Sequence, residues 1–286
     1  MVVRVLIVGP GRVGVAFAAR LRAAGTAVLG LVGRDSARTA AAAASVGVAV
    51  ADWSALAAAQ AVVFAVGDPE LPGCLEQAAA HGPWRRAAVW LHTSGRHDLT
   101  VFDGRLPAGC RRGALHPVLP FADAVAGAAA MPGAPAVLLG DAAAMRCLRL
   151  LAGRLGLVPM VADGGDRTLY HAACALAANG LTALFGAVER TFAAAGGFAV
   201  ADQRRLADAL LAAALRECRA RGAAAALSGP VRRGDAVTVA LHRQRLAAAA
   251  PEQAELYRAL MRAALPLARA AGLAAGPAQG VAAALE

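Results

Sequence analysis

The chain contains no lysine: all 29 of its basic residues are arginine, scattered among Ala, Gly and Leu. A reductase that protonates a developing alkoxide through lysine, or through a Tyr-x-x-x-Lys pair, is thereby excluded, and another acid must serve. Aromatic residues make up only 4% of the sequence. With so few stacking platforms and no basic stripe, the net charge of +10 does not point to a nucleic-acid partner. Cysteine is sparse as well. Cys74, Cys110, Cys147, Cys174 and Cys218 are odd in number and far apart, without a Cys-x-x-Cys pair, so neither a metal site nor a redox pair is expected. The N-terminal apolar run is too short for a signal peptide, and later ones meet Asn, His, Arg or Gly before reaching the length of a membrane span. The expectation is a cytoplasmic protein with no membrane association.

What is present is most informative at the N-terminus. The apolar stretch Val2 to Val8 runs directly into Gly9-Pro10-Gly11-Arg12-Val13-Gly14 and then into the Ala-rich, helix-favouring segment Val15 to Ala24. A strand, a glycine turn and a helix start follow in the order a dinucleotide site requires. The first glycine permits the tight turn, the second lets the backbone approach a pyrophosphate, and the third allows close packing of helix on strand. Gly9, Gly11, Arg12, Val13 and Gly14 are accordingly assigned to the cofactor. The second strand ends at Val32-Gly33-Arg34-Asp35-Ser36, where the adenine ribose is read. Arg34 with Ser36 suits a 2′-phosphate through charge-assisted hydrogen bonds, which favours NADP(H), whereas Asp35 is the residue that would favour NAD.

Strand-like and helix-like segments alternate through the first half: strands at Val2 to Val8, Ala27 to Val32, Gly47 to Val50, Ala61 to Val66, Ala87 to Leu91, Ala136 to Leu139 and Leu157 to Val161, with helices after Gly14 and over Ser36 to Ala44 and Asp141 to Leu155. That rhythm predicts an α/β fold, a doubly wound parallel sheet with ligands at the strand carboxyl ends. Beyond Gly164 only long helical segments remain: Arg167 to Ala195, Ala201 to Arg221, Thr238 to Ala248 and Pro251 to Ala271. The expected organisation is therefore a nucleotide-binding domain over 1–163 and an all-helical domain over 164–286, with the last dozen residues frayed.

Several polar groups stand where chemistry is expected. Val66-Gly67 and Thr93-Ser94 follow strands and border the nicotinamide half of the site, with Ser94 also a substrate ligand or simply a turn cap. His92 is the structural histidine of that pair of loops, and His116, before Pro117, either faces the cleft or occupies a turn. On the first long helix of the second half, His171 and Asn179 punctuate an apolar face and can line one cleft wall. Ser228, Arg233 and Asp235 lie in a Gly- and Pro-broken loop that suits a carboxylate ligand, or else an internal Arg–Asp network.

Taken together, Gly9-Pro10-Gly11-Arg12-Val13-Gly14, His92-Thr93-Ser94-Gly95, His116-Pro117, Tyr170-His171-Ala172-Ala173 with Asn179, and Ser228-Gly229-Pro230 followed by Arg233-Gly234-Asp235 resemble a bacterial family that joins a Rossmann-like domain to a DUF2520 helical domain. The resemblance extends to the superfamily of ketopantoate reductase and pyrroline-5-carboxylate reductase. It implies a nicotinamide cofactor, a cleft between domains and a homodimer formed through the helical part. His171 falls where ketopantoate reductases carry their catalytic lysine, eight residues before Asn179, although the intervening asparagine is here Ala175. His116-Pro117 is similar to the His-Pro of prephenate dehydrogenases, with Ser94 near the accompanying serine. The function so implied is NADP-dependent reduction of a small 2-oxo acid, ketopantoate first among them, with His171 or His116 as proton donor. The alternatives are imine reduction resembling pyrroline-5-carboxylate reductase, and an NADPH-binding or sensing protein without turnover.

Overall fold

The computed structural model describes residues 3–286. Its first compact unit reaches Ala178 and its second runs from Asn179 to Glu286. The first is built on a seven-stranded sheet. Strands β1 (Arg4–Val8), β2 (Ala27–Val32), β3 (Ala61–Phe64), β4 (Val89–His92), β5 (Arg111–Pro117), β6 (Pro135–Gly140) and β7 (Val158–Val161) lie in the order β2-β1-β3-β4-β5-β6-β7. Adjacent strands are parallel except β5 and β6, which run antiparallel with Leu115 opposite Leu138.

Side-chain alternation along the strands supplies two apolar faces. Val5, Ile7, Val63 and Leu91 pack towards α1 (Arg12–Ala23) and α5 (Ala142–Leu155), whose Phe17, Leu21, Leu148 and Leu151 are buried. Leu6, Val62, Phe64 and Trp90 face the other way, against Leu71 and Leu75 of α3 (Leu71–Ala80) and against Phe102. Asp35 starts α2 (Ser36–Val46), its carboxylate accepting the Arg38 N–H at 3.0 Å, and Gly47 ends that helix in the left-handed conformation. Helix α4 (Ala124–Ala130) is capped in the same manner by Asp123.

The sheet departs from the sequence reading in three places. It is not wholly parallel, because β6 returns beside β5 in the opposite direction. Strand β5 itself was not expected: its segment Arg-Arg-Gly-Ala-Leu-His-Pro has little intrinsic strand preference, and pairing with β4 and β6 on both sides imposes the extended form. Gly47 to Val50 forms only a bridge between Leu31 and Val50.

After β7 the chain forms α6 (Arg167–Ala175), opened by Asp166, whose carboxylate accepts the Thr168 and Leu169 N–H groups. One π-helical turn, Leu176–Gly180, then leads into α7 (Leu181–Ala195). Helix α6 is grouped with the sheet rather than with the helices that follow it. The continuous run Arg167–Ala195 has a mean hydropathy of 1.4 and is long and apolar enough to cross a membrane by length and composition. The expected interruption fails here because no Asp, Glu, Arg or Lys stands between Arg167 and Glu189. One such helix, judged by length and composition only, does not assign a span.

The second unit consists of α7, α8 (Val200–Arg221), α9 (Ala223–Ala226), α10 (Gly229–Arg233), α11 (Ala236–Ala249), α12 (Pro251–Ala270) and α13 (Ala275–Ala284). Val231, Val239, Ala264, Ala268, Val281 and Leu285 form its core. The last dozen residues are thus not frayed: α13 forms there because Val281 and Leu285 have a core to enter. The segment read as a Gly- and Pro-broken loop holds the short helix α10, with Pro230 in its first turn, where a missing N–H costs nothing.

Candidate active site

Strands β1 to β5 bring their carboxyl ends to one edge of the sheet, and two groups of residues collect there. The first surrounds the glycine turn. Gly9 leaves β1 with φ +107°, and a Cβ at this position would run into the carbonyl of Ala65. A Cβ on Gly14 would collide with the carbonyl of Gly9. Only glycine at both places lets β1, the β3 end and α1 approach this closely. Gly11 caps α1, the first turn of which carries no acidic side chain, so its free N–H groups and positive dipole end are available to an anion.

A cleft of about 580 Å³ opens beside this turn. Of the residues assigned to the cofactor, Gly9, Gly11, Arg34, Val66 and Gly67 line it, together with Asp35 and Arg38. Arg12, Val13, Gly14, Ser36 and Thr93 do not form its wall. The Arg12 guanidinium donates to the Phe121 carbonyl at 3.2 Å, leaving that residue's backbone as its contribution. Arg38 was overlooked in the sequence. Its place in the first turn of α2, three residues past the cap, was the signal. One oxygen of Asp35 is taken by that cap. Burial pushes the Cys74 thiol, also on the cleft wall, up to about 11, against the pull of Arg34. The glycine cradle, the open helix end and the arginine pair therefore fit a dinucleotide.

The second group lies at the ends of β4 and β5 and on α6. The Tyr170 hydroxyl is 2.7 Å from Nδ1 of His116, with the rings edge to face. Gly95 makes room beside them: a Cβ there would stand 2.8 Å from Nε2 of His116 and 3.0 Å from Cδ2 of His171. His116 and His171 are thus brought together against one glycine. Burial holds His116 down to about 4, reinforced by Arg167 and His171 and opposed by Asp68, so its ring is neutral at pH 7. Burial and the Cys174 thiol raise Tyr170 to about 12, with Arg167 acting in the opposite sense. The Arg167 guanidinium stacks over the Tyr170 ring at 4.0 Å from its centroid. Neither Arg167 nor Tyr170 was singled out as a site residue in the sequence.

His92 is structural. It is fully buried, stacks on Phe102 at 5.7 Å, and its Nε2–H donates to the Asp98 carbonyl at 3.3 Å. Burial keeps it neutral, at about 4. Ser94 is buried too, and its hydroxyl oxygen accepts the N–H groups of Arg96 and His97 at 3.1 and 3.0 Å, which secures the loop and leaves its own O–H to donate. Thr93 donates its N–H to the Phe64 carbonyl at 3.1 Å.

The remaining candidates belong to the second unit. Asn179 is exposed in the π-helical turn, a distortion often retained at functional positions. Ser228 precedes α10 and Arg233 ends it. Asp235 caps α11: its carboxylate accepts the Thr238 N–H at 3.0 Å and the Thr238 hydroxyl at 2.7 Å, contacts that hold it below the usual carboxylate range with help from Arg233.

Fold and site together define a Rossmann-type dinucleotide-binding protein with a helical second unit. A Rossmann-like domain model matches residues 2–117, and DUF2520, a domain of unknown function, matches residues 134–264. The chain therefore carries a Rossmann-like domain followed by a DUF2520 domain. The DUF2520 match begins before β6, so this domain takes in the strands added antiparallel to β5. Among solved structures, the chain is similar to a proposed NADP oxidoreductase from Bacteroides fragilis, with a TM-score of 0.75 and 18% identity, covering 92% of this chain and 97% of that one. A protein from Thermotoga maritima gives a TM-score of 0.72 at 20% identity, covering 93% and 99%. A reductive aminase from Aspergillus terreus, solved with NADPH and ethyl-5-oxohexanoate, gives 0.63 at 18% identity, covering 100% and 93%. At these identities the likeness is one of fold. No curated protein matches the chain in sequence.

Proposed function

We propose that this chain is an NADP(H)-dependent oxidoreductase that reduces a small 2-oxo acid, with ketopantoate to pantoate as the leading reaction. One observation carries the reading: the glycine cradle with its arginine pair and the His116–Tyr170–His171 group stand on the same carboxyl edge of one sheet. Arg34 and Arg38 would hold the 2′-phosphate, and the cap engagement of Asp35 weakens the case for a ribose-binding carboxylate. When bound, the nicotinamide supplies the hydride.

The chain's own residues must place the carbonyl and deliver a proton to its oxygen. His116 is neutral at pH 7 and is poorly suited to donate as an imidazolium, so His171 is the proposed donor. With the Tyr170 hydroxyl donating to Nδ1, His116 keeps its proton on Nε2, turned towards Gly95, where it can hydrogen-bond a carbonyl. The Ser94 O–H is a further donor on the same loop. Asn179, Ser228 and Arg233 are proposed as additional substrate ligands on the family resemblance alone.

The neutrality of His116 supports a second reading. A protonated imine needs no acid for its reduction, so a cyclic imine is the alternative substrate class. Assay of 2-oxo acids and cyclic imines with NADPH tests both. Turnover of ketopantoate supports the first reading, turnover of imines alone the second, and NADPH binding without turnover of either leaves a sensing protein. We further propose a homodimer, in which a second copy covers the exposed Leu169 and Leu176 on the apolar helical run.

A further inference from the structure

Arg167 presents a problem that the proposed reaction does not by itself explain. The residue is only 7% exposed, and two of its donors, Nε–H and Nη2–H, are buried without a hydrogen-bond partner. It makes no ion pair among the described residues. Its guanidinium stacks on the face of Tyr170, which offers a quadrupole and no formal negative charge. The cation is felt nearby, since it disfavours protonation of both His116 and His92. Buried charges are ordinarily paired, and one left single is retained against a cost.

The two orphaned atoms are informative in themselves. Nε–H and Nη2–H point the same way from one edge of the guanidinium and form the fork that matches the two oxygens of a carboxylate. The fork belongs to the first residue of α6, and three residues on, Tyr170 contacts His116. We infer that Arg167 is the substrate's carboxylate anchor, taking the acid group of a small organic acid in a bidentate pair beside the His116–Tyr170–His171 group. The inference rests on the proposed 2-oxo acid or imino acid reductase reading and narrows it: the substrate is an anion, and Arg167, rather than Arg233, holds its charge. Both donors are closed to water in this conformation, so the acid reaches them as neighbouring side chains part.

The test is oxamate binding by calorimetry to the full chain with NADP⁺ present, comparing the wild type with Arg167→Met, Arg167→Lys and Arg233→Met. Oxamate carries the planar carboxylate and carbonyl, and its binding needs no turnover. Wild type should bind saturably, Arg167→Met should weaken binding by about a hundredfold, and Arg167→Lys, which keeps the charge and loses the fork, by about tenfold. NADPH affinity should be unchanged in each variant, and Arg167→Lys provides the folded control if the Met variant is insoluble. Equal affinity in wild type and Arg167→Lys, loss in Arg233→Met alone, no oxamate binding by wild type, or displacement of oxamate by an equal concentration of inorganic phosphate would each overturn the assignment. Arg167-dependent oxamate binding in a protein that reduces nothing would keep the anchor and remove the reductase reading. Reduction of a 2-oxo acid unaffected by Arg167→Lys would do the reverse.

Discussion

The hydroxyl of Tyr170 lies 2.7 Å from Nδ1 of His116, so a side chain from α6 orients an imidazole at the end of β5. Removing that hydroxyl should leave the ring in place but free its tautomer. Tyr170→Phe should lower kcat by about tenfold without changing NADPH affinity, and His171→Ala should lower kcat and kcat/KM together by about a hundredfold or more. Steady-state kinetics on ketopantoate, with NADPH affinity from fluorescence titration, checks both. Retention of activity by His171→Ala with loss in His116→Asn would move the donor to His116.

Gly95 separates the two imidazoles from the loop that carries Ser94. A methyl group there meets His116 Nε2 at 2.8 Å and His171 at 3.0 Å, closer than side chains tolerate. Gly95→Ala should therefore displace both rings and reduce turnover by about tenfold or more while NADPH still binds. A variant with wild-type kcat would show that neither ring has a critical position.

Cofactor choice should depend on the arginine pair at the cleft. Arg34→Ala is expected to weaken NADPH by about tenfold, or roughly 1.4 kcal/mol, and Arg34→Ala/Arg38→Ala by more. NADH affinity should change little, because neither guanidinium has a 2′-phosphate to hold. Parallel titrations with the two nucleotides decide this, and equal losses would contradict it.

Acid should destabilise the fold through His92 and His116. Both are shifted from 6.5 down to about 4, chiefly by burial, so the native state binds their protons less readily than the unfolded chain. A depressed folded value contributes stability that is present above 6.5 and is lost as the pH falls towards about 4. The urea midpoint should drop steadily between these values. His92→Leu should flatten that dependence, since its ring packs on Phe102 and the substitution removes the protonation site. An unchanged slope would assign the acid sensitivity elsewhere.

The exposed leucines of the helical run make a prediction about assembly. Light scattering should give a dimer at micromolar concentration, and Leu176→Asp should shift it towards monomer, because the charge would be buried in the interface. A monomeric wild-type protein would contradict the proposal.

Local chemistry made much of the nucleotide site legible in the chain alone. An apolar strand, three glycines and an alanine-rich helix follow one another within Arg4–Ala23, and each preference acts over a few residues. The Arg34 side of the cleft was readable for the same reason, whereas Asp35 was read as a ribose ligand and proved to cap α2. The strand character of Arg111–Pro117 was not, since its residues favour nothing in particular and its two neighbours in the sheet impose the extended form. Nor was the π-helical turn that alters the phase between His171 and Asn179. The approach of Tyr170 to a histidine 54 residues earlier, and the burial of Arg167 without an ion pair among the described residues, are products of tertiary structure. Propensity and turn chemistry are properties of neighbours along the chain, whereas partnership and desolvation depend on which distant segments the packed sheet brings together.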